Sequence, residues 1–257
     1  MEDADREVRR LLEPCVRPEE FDRGEVASRQ RDRATWVGDP GVLAQLGLAP
    51  GNEERTEPIA AVVSGRHAVH GGVVRTGGAP ADLLFRTPTT VSWLWATAGQ
   101  ELRADLERAV LGAAYNTVDY LIRRRPLLGH TPARGFAAIM ALHAIGHPWS
   151  EPPPPMLHVH AYVVGLLDEH GRISGVERTA LYEDSLTREG GSYGRLDLAN
   201  ALHAMGFPIE TQTGPGRRYF QVRGVPEKLW QKRHPDKGCA GMGQENDFHP
   251  WGHDDDF

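Results

Sequence analysis

With 257 residues and 40% hydrophobic side chains, the chain is long enough for one large domain or two small ones with a buried core. It has only two cysteines, Cys15 and Cys239, which argues against a disulfide framework and for a reducing, cytoplasmic setting. No apolar run approaches the ~18 residues of a membrane-crossing helix, so no membrane partner is expected. The formal net charge is −6, and Glu245, Asp247 and Asp254 to Asp256 supply five of those charges in a tail without Lys or Arg. The rest is near neutral, unlike the usual basic nucleic-acid-binding domain, although a local basic patch can suffice.

The N-terminus, MEDADREVRR, mixes acidic and basic residues and does not read as a signal peptide. A short helix at Asp3 to Glu13 would present Val8, Leu11 and Leu12. Gly71 to Pro80 (GGVVRTGGAP) reads as a turn-rich hairpin region, and Asp82 to Phe85 begins a strand. From Gln100 to Arg125 the apolar residues Leu102, Leu106, Ala109, Ala113, Val118 and Leu121 follow three/four spacing, which predicts a helix. Arg123, Arg124 and Arg125 close it; they suit the helix dipole and also offer contacts to DNA phosphates. Tyr115 and Tyr120 on this helix read as packing residues.

The most informative stretch is Met156 to Val164, MLHVHAYVV. Leu157, Val159 and Ala161 alternate with His158, His160 and Tyr162, the period of a β-strand with one apolar face. His158 and His160 then share a side. They are either two half-exposed histidines or ligands to one metal ion. The preceding Phe136 to His147 (FAAIMALHAIGH) is β-compatible and ends in an imidazole. The linker holds Pro148 and the run Pro152 to Pro155, so it must return the chain as an extended loop. His147 on the adjacent strand end would complete a three-histidine site with open positions for water or substrate.

Asp168 to Arg172 reads as a turn. A helix is predicted from about Asp184 to Met205, weakened in the middle by Gly190, Gly191 and Gly194 and capped by Gly206. Residues from Pro208 to Arg223 make a hairpin about the Gly214-Pro215-Gly216 turn, and Pro226 opens a last helix. The Gly-rich acidic tail has no periodicity and reads as disordered; Phe248, His249, Trp251 and His253 offer the alternative of folding back over a pocket.

The pattern H-x10-L-H-x-H at His147, Leu157, His158 and His160 resembles the metal site of TrwC/TraI-type conjugative relaxases, members of the HUH endonucleases. Other segments resemble the family in the same order: TWVGDPGVLAQLGLAPG (Thr35 to Gly51), ADLLFRTPTTVSWLWA (Ala81 to Ala96), the segment from Gly171 to Glu210, and the one from Gly216 to Arg233. The resemblance implies one divalent metal ion on His147, His158 and His160 (Mg, Mn or Zn, with Fe, Cu or Ni as alternatives). It also implies single-stranded DNA as partner, and Asp82 as the acidic residue that assists a ligand or the nucleophile. The chain departs from the family in two places. The nucleophilic tyrosines of the family's N-terminal region have no counterpart, since the first tyrosine is Tyr115; and the family's Pro-Lys-Ser is here Pro88-Thr89-Thr90. The helicase region of large family members has no counterpart in this sequence.

The expected organisation is a charged extension (1–34), a relaxase-like domain (35–234) and an acidic tail (235–257). The expected fold is α/β in the broad sense: a central, mostly antiparallel sheet with the His-X-His strand in its middle and helices on its faces. The expected function is metal-assisted cleavage or binding of single-stranded DNA. The alternative is a three-histidine metalloenzyme acting on a small molecule, since a fold does not fix a function.

Overall fold

The computed structural model describes residues 34–52, 56–128, 131–145, 155–177, 180, 184–214, 217–225 and 248–250. In chain order its elements are β1 (Ala34–Gly38), α1 (Pro40–Gln45), β2 (Gly51–Asn52), α2 (Thr56–Val63), β3 (Ala81–Arg86), α3 (Thr89–Thr97) and α4 (Gln100–Arg124). There follow β4 (Gly135–Ile145), β5 (Pro155–Leu167), β6 (Ile173–Ser174), α5 (Asp184–Ala204), β7 (Ile209–Gly214), β8 (Arg217–Val222) and β9 (Phe248–Pro250).

The main sheet runs β2-β1-β4-β5-β3-β9, with β6 beside β5, and every pairing in it is antiparallel. The His-X-His strand β5 is therefore central, between β4 and β3, as expected. Its alternation sorts the core into two layers. Leu157, Val159, Ala161 and Val163 face a large cluster with Leu83, Phe85, Met140 and the buried sides of α3, α4 and α5. Tyr162 and Val164 face the other way, into a smaller cluster with Trp36, Ile139, and Val42, Leu43, Ile59 and Val62 of α1 and α2. Both sides of β5 are buried from Leu157 to Leu166.

Helix α4 matches its predicted span to within a residue. Helix α5 ends as expected at Gly206 (φ +90°): the Gly206 and Phe207 amides donate to the carbonyls of His203 and Leu202, a Schellman closure. The glycines inside α5 are explained in part by Gly194, where a Cβ would come within 2.4 Å of Phe85 and 2.6 Å of Thr117 Oγ1. A side chain there would push α5 off α4 and β3.

Two expectations change, and one segment that the sequence reading left unassigned takes a definite form. Thr89 to Thr97 (TTVSWLWAT), rich in β-branched and aromatic residues, is a helix. Its hydroxyls and indole are spent on tertiary bonds: Ser92 Oγ accepts from the Leu157 amide at 3.0 Å, Thr90 Oγ1 accepts from the Val222 amide at 3.1 Å, and Trp95 Nε1 donates to Glu107 Oε1 at 2.9 Å. Tertiary contacts thus override a β-leaning local preference. Gly71 to Pro80 forms isolated bridges rather than a hairpin. It is anchored by Arg75, which donates to the carbonyls of Val63 at 2.8 Å and Val164 at 3.2 Å. In the tail, Phe248–Pro250 adds an edge strand against β3. The helices expected at Asp3 to Glu13 and after Pro226 lie outside the described residues.

Candidate metal centre

His158 and His160 stand on the side of β5 that faces away from the large core. In register, His143 of β4 lies opposite His158, and Ala141 opposite His160. Residues directly opposite in an antiparallel pair project to the same side, so His143 joins the other two. The three rings pack with centroids 4.8 to 5.2 Å apart, and one nitrogen from each lies within 4.8 Å of the others. All three are buried, at 4%, 3% and 6% exposure. Apolar layers lie elsewhere on this side of the sheet, so three clustered imidazoles are a polar exception to its packing.

The hydrogen bonds determine which nitrogens are available. His158 Nδ1 donates to the Met156 carbonyl at 2.8 Å, and His160 Nδ1 donates to Asp82 Oδ2 at 2.6 Å. Each bond holds the proton on Nδ1 and leaves the Nε2 lone pair as the donor to a metal. Burial, followed by the neighbouring His143 and His160 and opposed by the Met156 carbonyl, pushes the His158 pKa well below its ordinary value, so this ring is neutral. Neutral imidazoles with their second nitrogen anchored to oxygen acceptors are the form in which histidine ligates. The residues present fit a metal ion. Asp82 is itself 3% exposed, and its second oxygen, Oδ1, has no hydrogen-bond partner among the described residues.

The sequence-predicted residues fall into three groups. His158, His160 and Asp82 are brought together. His147 lies outside the described residues, and the third imidazole of the cluster is His143, which sequence reasoning did not single out. The signal was the length of the proline-rich linker: the last pair of the hairpin is Ile145 opposite Pro155, with nine residues between them. The residue opposite His158 is therefore further back along β4 than a short-loop count suggests.

Arg123, Arg124 and Arg125 stand apart. Arg123 donates to Asp119 at 2.7 Å, to the Arg134 carbonyl at 3.2 Å and to Asp39 at 3.3 Å. Arg124 lies 6.0 Å from the Tyr120 ring, and Arg125 pairs with Glu189. Asp39 binds the Phe136 amide at the start of β4. His143 is seven residues further along that strand, ~24 Å at about 3.4 Å per residue. A cleft of about 180 Å³ between α4 and α5, lined by Asn116, Asp119, Tyr120, Arg123, Arg124 and Tyr193, lies on this helical layer.

No helix among the described residues is long and apolar enough to cross a membrane. No curated protein sequence matches the chain. Among solved structures, the fold is similar to conjugative relaxase TrwC in a metal-free complex with oriT DNA, with a TM-score of 0.59 and 20% identity over 80% of this chain and 73% of that one. It is also similar to TrwC in a metal-bound complex with oriT DNA (TM-score 0.61, 17% identity, 87% and 74%). A third is TrwC with a 27-mer DNA comprising the recognition hairpin and the cleavage site (0.58, 19%, 81% and 73%). The family profile described as TrwC relaxase matches residues 21–233, most of the sequence and all of the elements from β1 to β8, and the chain therefore belongs to the TrwC relaxase family.

Proposed function

We propose that this chain holds one divalent metal ion on His143, His158 and His160 and uses it to cleave a phosphodiester of single-stranded DNA. The observation that carries the proposal is the convergence of three buried imidazoles, two of them fixed by oxygen acceptors on Nδ1, in a fold shared with DNA-bound relaxases. An ion held there would supply Lewis-acid polarisation of a phosphoryl oxygen. An all-imidazole set suits Fe, Ni, Cu or Zn better than Mg or Mn, which prefer oxygen. Asp82 holds the His160 ring in orientation and tautomer, acting through that ligand. The Met156 carbonyl does the same for His158.

The nucleophile in this proposal is water. Tyr115, Tyr120 and Tyr193 belong to the helical layer across the sheet. Tyr162 points into the apolar cluster under α1 and α2. Of the other two tyrosines, Tyr219 belongs to the separate β7–β8 hairpin and Tyr182 lies outside the described residues; residues 1 to 114 contain none. Attack of water on phosphorus breaks one P–O bond and leaves one phosphate-ended and one hydroxyl-ended strand, with no protein-linked product. The similar solved structures are complexes with DNA, and no observation favours the small-molecule alternative.

The test is incubation of the protein and its His158→Ala variant with a random single-stranded DNA pool, with and without Mn²⁺ or Zn²⁺. Metal-dependent cleavage with free ends, lost in the variant, supports the proposal. A DNA adduct stable to denaturant would replace water by a protein nucleophile. Stoichiometric metal without any DNA affinity would refute the proposal.

A further inference from the structure

Between α2 and β3 the chain carries His67 and His70 in the run RHAVHGG. Their rings stack, with centroids 3.6 Å apart and planes 11° from parallel. His67 Nδ1 accepts from the Val69 amide at 3.1 Å and from the His70 amide at 3.4 Å. His70 Nδ1 accepts from the Gly72 amide at 3.1 Å. A backbone amide can only donate, so both Nδ1 atoms are bare and each ring carries its proton on Nε2. The imidazoles thus do for this loop what an aspartate or asparagine does in an Asx turn. We propose that residues 66–72 form a proton-sensitive latch, closed while both imidazoles are neutral and released when either takes a proton on Nδ1.

The hydrogen bonds carry the argument. A proton on Nδ1 turns an acceptor into a donor, so the amides aimed at it lose their partner. Protonation of His67 removes two bonds from the loop, and protonation of His70 removes one. The surroundings also disfavour the charge. The His67 ring lies against Gly47, just past α1, where a Cβ would come within 2.3 Å of it. Loss of water around this ring, followed by the neighbouring His70, holds the His67 pKa below its ordinary value. The carbonyls at the end of α1 that would favour a cation are occupied by the amides of Leu46, Gly47, Leu48 and Ala68. The charged groups of the loop and its base are cations: Arg66 donates to the Gly71 carbonyl at 2.9 Å, and Arg75 donates to the carbonyls of Val62, Val63 and Val164. Since the fold favours the neutral ring, the latch is fully closed above the ordinary value of 6.5 and is lost as pH falls below it. The His67 amide still closes the base of the loop on the Gly72 carbonyl at 2.8 Å, so release frees the tip. Ala68 in that tip donates to the Leu46 carbonyl at 2.9 Å and packs against the cluster of Tyr162 and Val164, so release also weakens the hold of the loop on α1.

The experiment is a pH titration of the ¹⁵N-labelled protein by NMR, from about pH 8 to about pH 5, spanning ordinary histidine titration. It compares wild type with the double variant His67→Asn, His70→Asn. An asparagine oxygen accepts the amide two residues on and does not titrate, so the variant keeps the turn and removes the switch. In wild type at the alkaline end, both rings should show the tautomer protonated on Nε2. As pH falls, these rings and the amides of Val69, His70 and Gly72 should shift together, with a midpoint below 6.5 for His67. Protection of the Val69 and Gly72 amides against solvent exchange, corrected for intrinsic rate, should drop about tenfold, while amides of α4 hold theirs. The double variant should change by less than about twofold at the same amides. A ring protonated on Nδ1 at alkaline pH would overturn the proposal. Loop amides that ignore the ring titration, or that lose protection equally in the double variant, would also overturn it.

Discussion

Replacement of Asp82 separates a positioning role from a purely structural one. Its Oδ2 accepts a 2.6 Å hydrogen bond from His160 Nδ1, and both side chains are almost fully buried. Asp82→Asn keeps an acceptor of the same size and removes the charge, and a neutral bond is roughly half as strong as a charge-assisted one. Asp82→Ala removes the acceptor altogether. It leaves the Nδ1–H buried without a partner or lets the imidazole change tautomer, which turns the protonated nitrogen towards the ion. Substitution of such carboxylate–histidine partners typically weakens metal binding about 10- to 100-fold, or about 1.4 to 2.7 kcal/mol at 1.4 kcal/mol per decade. Asp82→Asn is expected at the lower end and Asp82→Ala at or beyond the upper. The stability of the metal-free protein should change less. The wild-type carboxylate is itself desolvated and has an oxygen without a partner among the described residues, so its removal relieves one cost as it creates another. Titration of Zn²⁺ against a competing chromophoric chelator, with thermal unfolding of the chelated protein alongside, reads both quantities. Affinities within twofold of wild type in both variants would refute the argument. A large loss of melting temperature without loss of metal affinity would assign Asp82 to the fold alone.

The other expectations concern the ligand set, acid stability, helix packing and the arginine cluster. His143→Ala should abolish stoichiometric metal binding while His147→Ala leaves it intact, as measured by metal analysis after dialysis; the reverse result would move the third ligand. The protonated form of His158 is disfavoured in the fold, so in the metal-free protein its contribution is fully present above the ordinary value of 6.5. As pH falls below 6.5 the unfolded chain binds a proton that the fold resists. Stability should then drop by about 1.4 kcal/mol per pH unit until the folded ring titrates. Urea unfolding across this range should show a shallower dependence in His158→Gln. Gly194→Ala should gain about 1 kcal/mol in helix propensity and lose about 1 to 3 kcal/mol to overpacking against Phe85 and Thr117, a net lowering visible in thermal unfolding. The Arg123, Arg124 and Arg125 triple substitution to glutamine should reduce stability modestly, since exposed ion pairs are worth less than about 1 kcal/mol each. It should leave DNA affinity within about threefold, and a tenfold loss would make the α4 end part of the DNA surface.

What could be read from the sequence divides along a physical line. Local periodicity predicted the elements whose apolar faces are set by near neighbours: the long α4 stripe, the alternation of β5, the α5 stop at Gly206. It is silent where a segment's structure is decided by partners far along the chain. The residues of α3 are poor helix formers in isolation, and their hydroxyls bind amides at positions 157 and 222, which no window around position 92 can contain. The same line runs through the site. His158 and His160 are visible because strand parity alone puts them together, whereas Asp82 is visible only through the family resemblance, since its place beside His160 depends on the register between β3 and β5. His143 depends on where the β4–β5 hairpin closes, and proline content reports that a loop is long without reporting its length. A ligand set assembled across strands is therefore legible only up to the register, and here the register supplies the third imidazole, His143 opposite His158.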